Sequence, residues 1–462
     1  MSFSSLPFLF YFLPAFLLVY YLAGARWRNA VLVAGSLVFY LQEASFLAVV
    51  VLLALILINF STARLMSAAE GDARKIWLLF ALACDVGSLF YFKYMGFFLE
   101  NIGTLFHEDF SFFHVLLPLG ISFYVFQSIA YAVDVYRGTS EAERNLIDYA
   151  AFILMFPQFV MGPILRYRDV SQALHQRKLS RQALEEGFSL FVVGLGFKVI
   201  LADQLAPLWA ALTRIGFGYV STPLAWLGAV GYSLQLYFDF SGYSLMAMGL
   251  GQMLGFSLPR NFDLPYCARS VSEFYRRWHI TLGTWFRDYL YIPLGGSRNG
   301  AGRTALSLLA VWALTGLWHG ADWNFILWGL VLFLFIALEK FFLQGFLRRH
   351  AFLSHLYLLF VIPQTWVIFN ISDLGQLKAY FSRLYPFFST DHSVFTGDFV
   401  RQFSSYWWLF ALGILFSLPW PKKFYEKHRN SPLVWIPLFV VFWICVYLIS
   451  RNDGNPFLYA RF

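Results

Sequence analysis

Long apolar stretches alternate with short polar interruptions along the whole chain. A helix that crosses a bilayer needs roughly 20 consecutive apolar residues, and such runs recur at 6–23, 45–62, 76–95, 112–133, 187–213, 224–255, 303–318, 323–343, 352–370, 405–419 and 433–450. Shorter runs at 29–41 and 148–165 predict tilted or re-entrant pieces. The pattern predicts an all-α polytopic membrane protein of roughly eleven to thirteen membrane elements, in one membrane-embedded domain spanning 1–462, with no room for a soluble domain. No pair of matching halves broken by Gly or Pro is visible, which weakens a secondary-transporter reading.

Composition sharpens this picture. Of the residues, 59% are hydrophobic and 13% charged, against roughly 25% charged in a soluble domain. The 54 Phe, 26 Tyr and 16 Trp supply rings for the lipid face and for both interfaces. The net charge of +8 falls in loops between apolar runs, so it speaks for membrane topology and against nucleic-acid binding. Lys and Arg stay on the cytoplasmic side. That rule places Arg26/Arg28, Arg64/Arg74/Lys75, Arg166/Arg168/Arg177/Lys178/Arg181 and Lys422/Lys423/Lys427/Arg429 inside. The loop 97–111, with Glu100, Glu108 and Asp109, is expected outside, as is the N-terminus. No basic residue precedes Arg26, so Leu6–Leu22 is expected to be a retained span rather than a cleaved signal. Cys84, Cys267 and Cys445 are far apart and odd in number, which predicts packing residues, with neither a disulfide framework nor a metal site.

Residues 257–303 break the apolar pattern, with seven arginines (260, 269, 276, 277, 287, 298, 303) against Asp263, Glu273 and Asp288. Ser270-Val-Ser-Glu273 has the form of a capping box and predicts a helix start. At helical spacing Phe274, Trp278, Leu282, Trp285 and Tyr289 make one stripe, Arg276, Arg277 and Arg287 lie opposite, and His279 falls on the border. Pro293 and Gly295-Gly296 are expected to end this amphipathic helix. Its arginines have two readings: snorkelling to lipid phosphates, or attracting an anionic cytosolic substrate.

His319 lies in Leu314-Thr-Gly-Leu-Trp-His-Gly-Ala-Asp-Trp-Asn324, between two apolar runs. An ionisable ring at that depth needs a partner or a wet cavity, and His exchanges protons near neutral pH. Gly316 and Gly320 leave room for a helix break or a close backbone approach. Asp239, in Leu236-Tyr-Phe-Asp-Phe-Ser-Gly-Tyr243, and Gln127 and Asp134 also interrupt apolar runs and point to a polar interior pathway. The chain has no GxxxxGK[ST], HExxH or GxSxG pattern. His319 and His279 are therefore the candidate catalytic residues, with Arg276, Arg277, Trp278, Asp239, Trp318 and Asn324 as candidate substrate-binding residues.

Ser272-Glu-Phe-Tyr-Arg-Arg-Trp-His-Ile-Thr-Leu-Gly-Thr-Trp-Phe-Arg-Asp-Tyr-Leu-Tyr-Ile-Pro-Leu-Gly-Gly296, followed by Gly316-Leu-Trp-His-Gly320, resembles the signature of the membrane-bound O-acyltransferases (MBOAT). Phe3-Ser-Ser5, Leu117-Pro-Leu-Gly-Ile-Ser-Phe-Tyr124, Tyr237-Phe-Asp-Phe-Ser-Gly-Tyr-Ser244 and Asn455-Pro-Phe-Leu-Tyr459 extend the likeness over nearly the whole chain. It is most similar to membrane subunits of alginate O-acetylation systems, then to those for cellulose, and more distantly to a teichoic acid D-alanylation subunit. The resemblance implies a ring of helices around a central tunnel in the bacterial inner membrane. It implies no tightly bound cofactor, a cytosolic acetyl-CoA donor, and periplasmic acetyltransferase or relay partners. His319 matches the family's catalytic histidine and is expected to act as base, and His279 matches its second polar position. The competing expectations are D-alanyl transfer, a carrier or channel lined by the histidines, and a scaffold without chemistry.

Overall fold

Inside a bilayer the backbone finds no water, and a chain of apolar runs closes its N–H and C=O groups within helices. The computed structural model describes residues 2–110, 115–159, 161–385, 394–395, 397–429, 431–451 and 457–458, and among them there is no strand. Its helices are α1 (Phe8–Leu22), α2 (Arg28–Leu41), α3 (Phe46–Ala68), α4 (Asp72–Phe106), α5 (Ile121–Tyr136), α6 (Leu146–Leu154), α7 (Tyr167–Gln176), α8 (Arg181–Ile215) and α9 (Thr222–Met253). There follow α10 (Val271–Arg277), α11 (Ile280–Phe286), α12 (Gly300–His319), α13 (Trp323–Arg349), α14 (Ala351–Asn370), α15 (Leu374–Leu384), α16 (Asp398–Ser417), α17 (Pro419–His428) and α18 (Pro432–Arg451).

Among the described residues, seven helices are long and apolar enough to cross a membrane: α3, α4, α8, α12, α13, α14 and α18. The other predicted runs also form helices, with two changes. The run from 112 begins its helix only at Ile121, because Pro118 precedes it and Gly120 takes a left-handed backbone (φ 73°); residues 111–114 lie outside the described residues. The run 148–165 divides, since α6 stops at Leu154 and Met155 leaves the helical region before a short turn at Phe156–Phe159. Of the C-terminal motif, Phe457 and Leu458 are described, and Asn455, Pro456 and Tyr459 lie outside the described residues.

The chain forms two compact units, residues 1–191 with 246–259 and residues 192–245 with 260–462. In the first, the rings of Phe3, Phe8, Phe12, Phe16, Phe39 and Phe156 pack together. Tyr20 and Tyr21 of α1 donate to the carbonyls of Leu254 and Met253 at 2.7 and 2.6 Å. A Cβ on Gly249 would stand 2.4 Å from the Gly187 carbonyl oxygen, so α8 and α9 approach there through bare backbone.

The second unit repeats that device twice. A Cβ on Gly242 would lie 2.7 Å from the Gly194 carbonyl oxygen. Beside this crossing Lys198, 1% exposed, places Nζ 2.6 Å from Asp239 and 2.9 Å from Asp203. In the α12–α13 hairpin, a Cβ on Gly316 would meet the Phe325 carbonyl oxygen at 2.3 Å, and one on Gly329 the Trp312 carbonyl oxygen at 2.4 Å. Overpacking of this kind costs about 1–3 kcal/mol. Gly316→Ala is therefore expected to lower the thermal midpoint of the purified protein, whereas Gly302→Ala, on the same helix with open space around it, should leave it level or raise it. Size-exclusion recovery after a heating series checks this; equal midpoints for the two variants would contradict the crossing.

Candidate active site

The basic segment does not fold as the single amphipathic helix that its periodicity predicts. Ser270 caps α10 as expected, its hydroxyl accepting from the Glu273 N–H at 3.0 Å, and the Glu273 carboxylate accepts from the Arg269 N–H at 3.0 Å. Burial works against charge on Glu273, but that N–H and the Arg277 guanidinium outweigh it and hold the carboxyl below its usual range. Arg277, 2.6 Å from Glu273, ends the helix. Trp278 is extended and His279 takes a left-handed backbone with φ 46°, after which α11 begins in a new direction and passes into a π turn at Arg287–Tyr291.

What breaks the helix comes from outside it. Asn261, fully buried, takes the Ile280 N–H on its carbonyl oxygen at 2.9 Å. Its side-chain Oδ1 accepts from the Thr281 hydroxyl at 2.9 Å and the Thr281 N–H at 3.3 Å, and lies 3.1 Å from His279 Nδ1. A backbone N–H can only donate, so the Thr281 contact fixes which end of the amide is oxygen. An oxygen that only accepts in turn requires the hydrogen on Nδ1 of His279. Nε2 is then a bare acceptor, and it is buried with no hydrogen-bond partner among the described residues.

His319 ends α12, where Gly320 leaves the helix. The two imidazoles, 3% and 4% exposed, line one cavity of about 1020 Å³. The indole of Trp318 lies beside both, its ring centre 5.9 Å from that of His279 and 4.9 Å from that of His319. Trp328 and Phe369 close the other sides of His319 at 5.1 and 5.2 Å. Arg269, Arg276, Arg277, Arg287, Lys340 and Arg348 also line the cavity. The space therefore combines apolar indole walls, the imidazoles of His279, His319 and His355, and six cationic side chains against the carboxylates of Glu273 and Glu339, a net positive lining suited to a large anionic ligand with a reacting end.

Not every candidate from the sequence faces this space. His279, His319, Arg276, Arg277 and Trp278 line it. Trp318 packs between the histidine rings. Asp239 is engaged by Lys198 and by the Leu458 N–H at 2.9 Å. Asn324 donates to the carbonyls of Ile368 and Phe369 at 3.3 and 2.8 Å, tying the start of α13 to the end of α14. Asn261, Thr281 and Glu339 were missed by the sequence reading, since each matters through a partner remote in sequence.

The residues matched by the membrane-bound O-acyltransferase family, 143–372, contain both histidines. The chain is 41% identical over 395 residues to a probable alginate O-acetylase AlgI of Azotobacter vinelandii, a match spanning 84% of this chain and 78% of that protein. The chain belongs to the membrane-bound O-acyltransferase family. It is thus a multi-pass membrane acyltransferase, and the helices long enough to cross a bilayer accord with that. Within the family it is also 41% identical over 399 residues to a probable alginate O-acetylase AlgI of Pseudomonas aeruginosa, covering 84% of this chain and 75% of the relative. A peptidoglycan O-acetyltransferase of Helicobacter pylori is 32% identical over 413 residues, covering 80% and 77%.

Proposed function

We propose that this acyltransferase takes an acetyl group from cytosolic acetyl-CoA at the inner membrane and passes it toward an exported polysaccharide, with alginate as the polymer favoured by the relatives. The observation that carries the reading is the shared cavity: two imidazoles at one place, with six cationic side chains around them that suit the phosphates of a coenzyme thioester. Periplasmic relay or acetyltransferase proteins would complete delivery to the sugar.

Proton acceptance is assigned to His279 because its Nδ1 lies 3.1 Å from Asn261 Oδ1, an arrangement that supports a hydrogen on Nδ1 and leaves Nε2 as the acceptor. In the proposed reaction the acceptor hydroxyl loses its proton to His279 as its oxygen attacks the thioester carbonyl. The C–O ester bond forms, the C–S bond breaks, and the departing coenzyme thiolate receives a proton, with His319 as the second proton-transfer group. Positioned proton transfer contributes about 10²–10⁴-fold in rate. This division of roles departs from the expectation of His319 as the base, and rests on the fixed amide of Asn261.

Cells that still make and export the polymer but lack this chain should secrete it without acetyl esters, and returning the gene should restore them. Membranes containing the chain should release free coenzyme from labelled acetyl-CoA in step with ester formation. Unchanged ester content in the deletion would overturn the reading, and label supplied only by an acyl carrier protein would point to D-alanyl transfer instead.

A further inference from the structure

We propose that Glu339 is a positioning residue of this site: its carboxylate fixes the start of α10 and so sets where Arg276, Arg277 and His279 stand in the donor cavity. The inference rests on the acyl-transfer reading above.

Glu339 lies in α13 at the first position of a π turn, Glu339–Leu343, is 3% exposed, and lines the cavity. Its Oε1 accepts from the Val271 N–H at 2.5 Å, and its Oε2 accepts from the Ser272 N–H at 2.8 Å and the Ser272 hydroxyl at 2.6 Å. The first N–H groups of a helix have no partner within it and carry the positive end of its dipole. Here a carboxylate from another helix supplies both acceptors. A buried acid in a membrane-spanning helix is costly to keep unless it is partnered, and π turns inside helices are frequent at functional sites.

The placement of the clamp matters more than its strength. α10 has only seven residues, so its start lies two turns from the left-handed backbone of His279. A small rotation at Val271 carries Arg276 and Arg277 with it. The next residue of the π turn, Lys340, donates to Ser297 Oγ at 3.1 Å, so adjacent side chains of α13 hold both ends of the stretch that contains His279.

The test compares full-length wild type with Glu339→Gln and Glu339→Asp in membranes, with initial rates measured against acetyl-CoA concentration and normalised to folded protein. An amide offers one acceptor oxygen where two are used, and its NH₂ faces donors. Glu339→Gln is therefore expected to raise KM for acetyl-CoA about tenfold with a smaller fall in kcat, and Glu339→Asp, which keeps both oxygens, to recover part of that rise. A Glu339→Gln protein with wild-type KM and kcat but a lowered thermal midpoint would overturn the positioning role alone. A wild-type protein that transfers nothing from acetyl-CoA would overturn the donor reading and this inference with it.

Discussion

Membranes carrying His279→Ala or His319→Ala at wild-type abundance are expected to form acetyl ester about 10²–10⁴-fold more slowly than wild type. Both imidazoles line the same cavity, and a reaction that takes a proton from a hydroxyl and returns one to a thiolate uses both. Groups that act as a unit are strongly non-additive when removed. The double variant is accordingly expected to be no slower than the slower single one. Asn261→Leu should resemble His279→Ala, because the imidazole loses the acceptor that holds its Nδ1 hydrogen; Asn261→Asp, which still presents an oxygen, should retain more activity. Rates of ester formation from labelled acetyl-CoA decide the matter. Full activity of His279→Ala would remove the proposed base, and independent, multiplying losses would separate the two histidines into unrelated steps.

The largest expected effect on folding comes from Lys198→Met. Lys198 satisfies two carboxylates at once, Asp239 at 2.6 Å and Asp203 at 2.9 Å, with the Phe457 ring centre 4.5 Å from its ammonium. Removing one partner of a buried ion pair strands the other charge and costs about 3–5 kcal/mol, whereas replacing both partners with neutral groups is often tolerated. Lys198→Met should therefore yield little monodisperse protein after detergent extraction, and adding Asp239→Asn should restore part of it. The same loss should loosen the C-terminal segment, since the Leu458 N–H bonds to the other oxygen of Asp239. Extraction yield and thermal midpoint report the outcome; a Lys198→Met protein as stable as wild type would show that the ion pair contributes nothing to the fold.

What the sequence made legible follows from range. Apolar runs report helices because lipid and backbone impose the same demand on every residue of the run, and Ser270–Glu273 reports its cap because both partners lie within one turn. The break at Trp278–His279 has no such local sign. No Gly or Pro marks it, and the stripe from Phe274 to Tyr289 continues the helical period through it. The backbone turns there because Asn261 and Thr281 gather the bonds at that point. Lys198 was hidden inside the run 187–213, since the nearer of its two carboxylate partners in space, Asp239, lies 41 positions away in sequence. Asp239 itself stood out as polar, but its partner was needed to separate a structural charge from a substrate contact. Glu339 was absorbed into the run 323–343 for the same reason. His319 was visible from its own surroundings, and Trp318, adjacent in sequence, proved to be its neighbour in space as well.

The left-handed backbone of His279 also restricts how this turn can change over generations. For an ordinary L residue that conformation costs about 1–2 kcal/mol, while asparagine, aspartate and glycine adopt it more readily. Most single substitutions at 279 would thus lose the imidazole and strain the turn together, two handicaps from one mutation. Asparagine and aspartate alone would keep both a relaxed turn and a polar group pointing into the same space. A lineage moving to different acyl chemistry through this position would find its shortest passage there, with Asn261 and the bend it supports left in place.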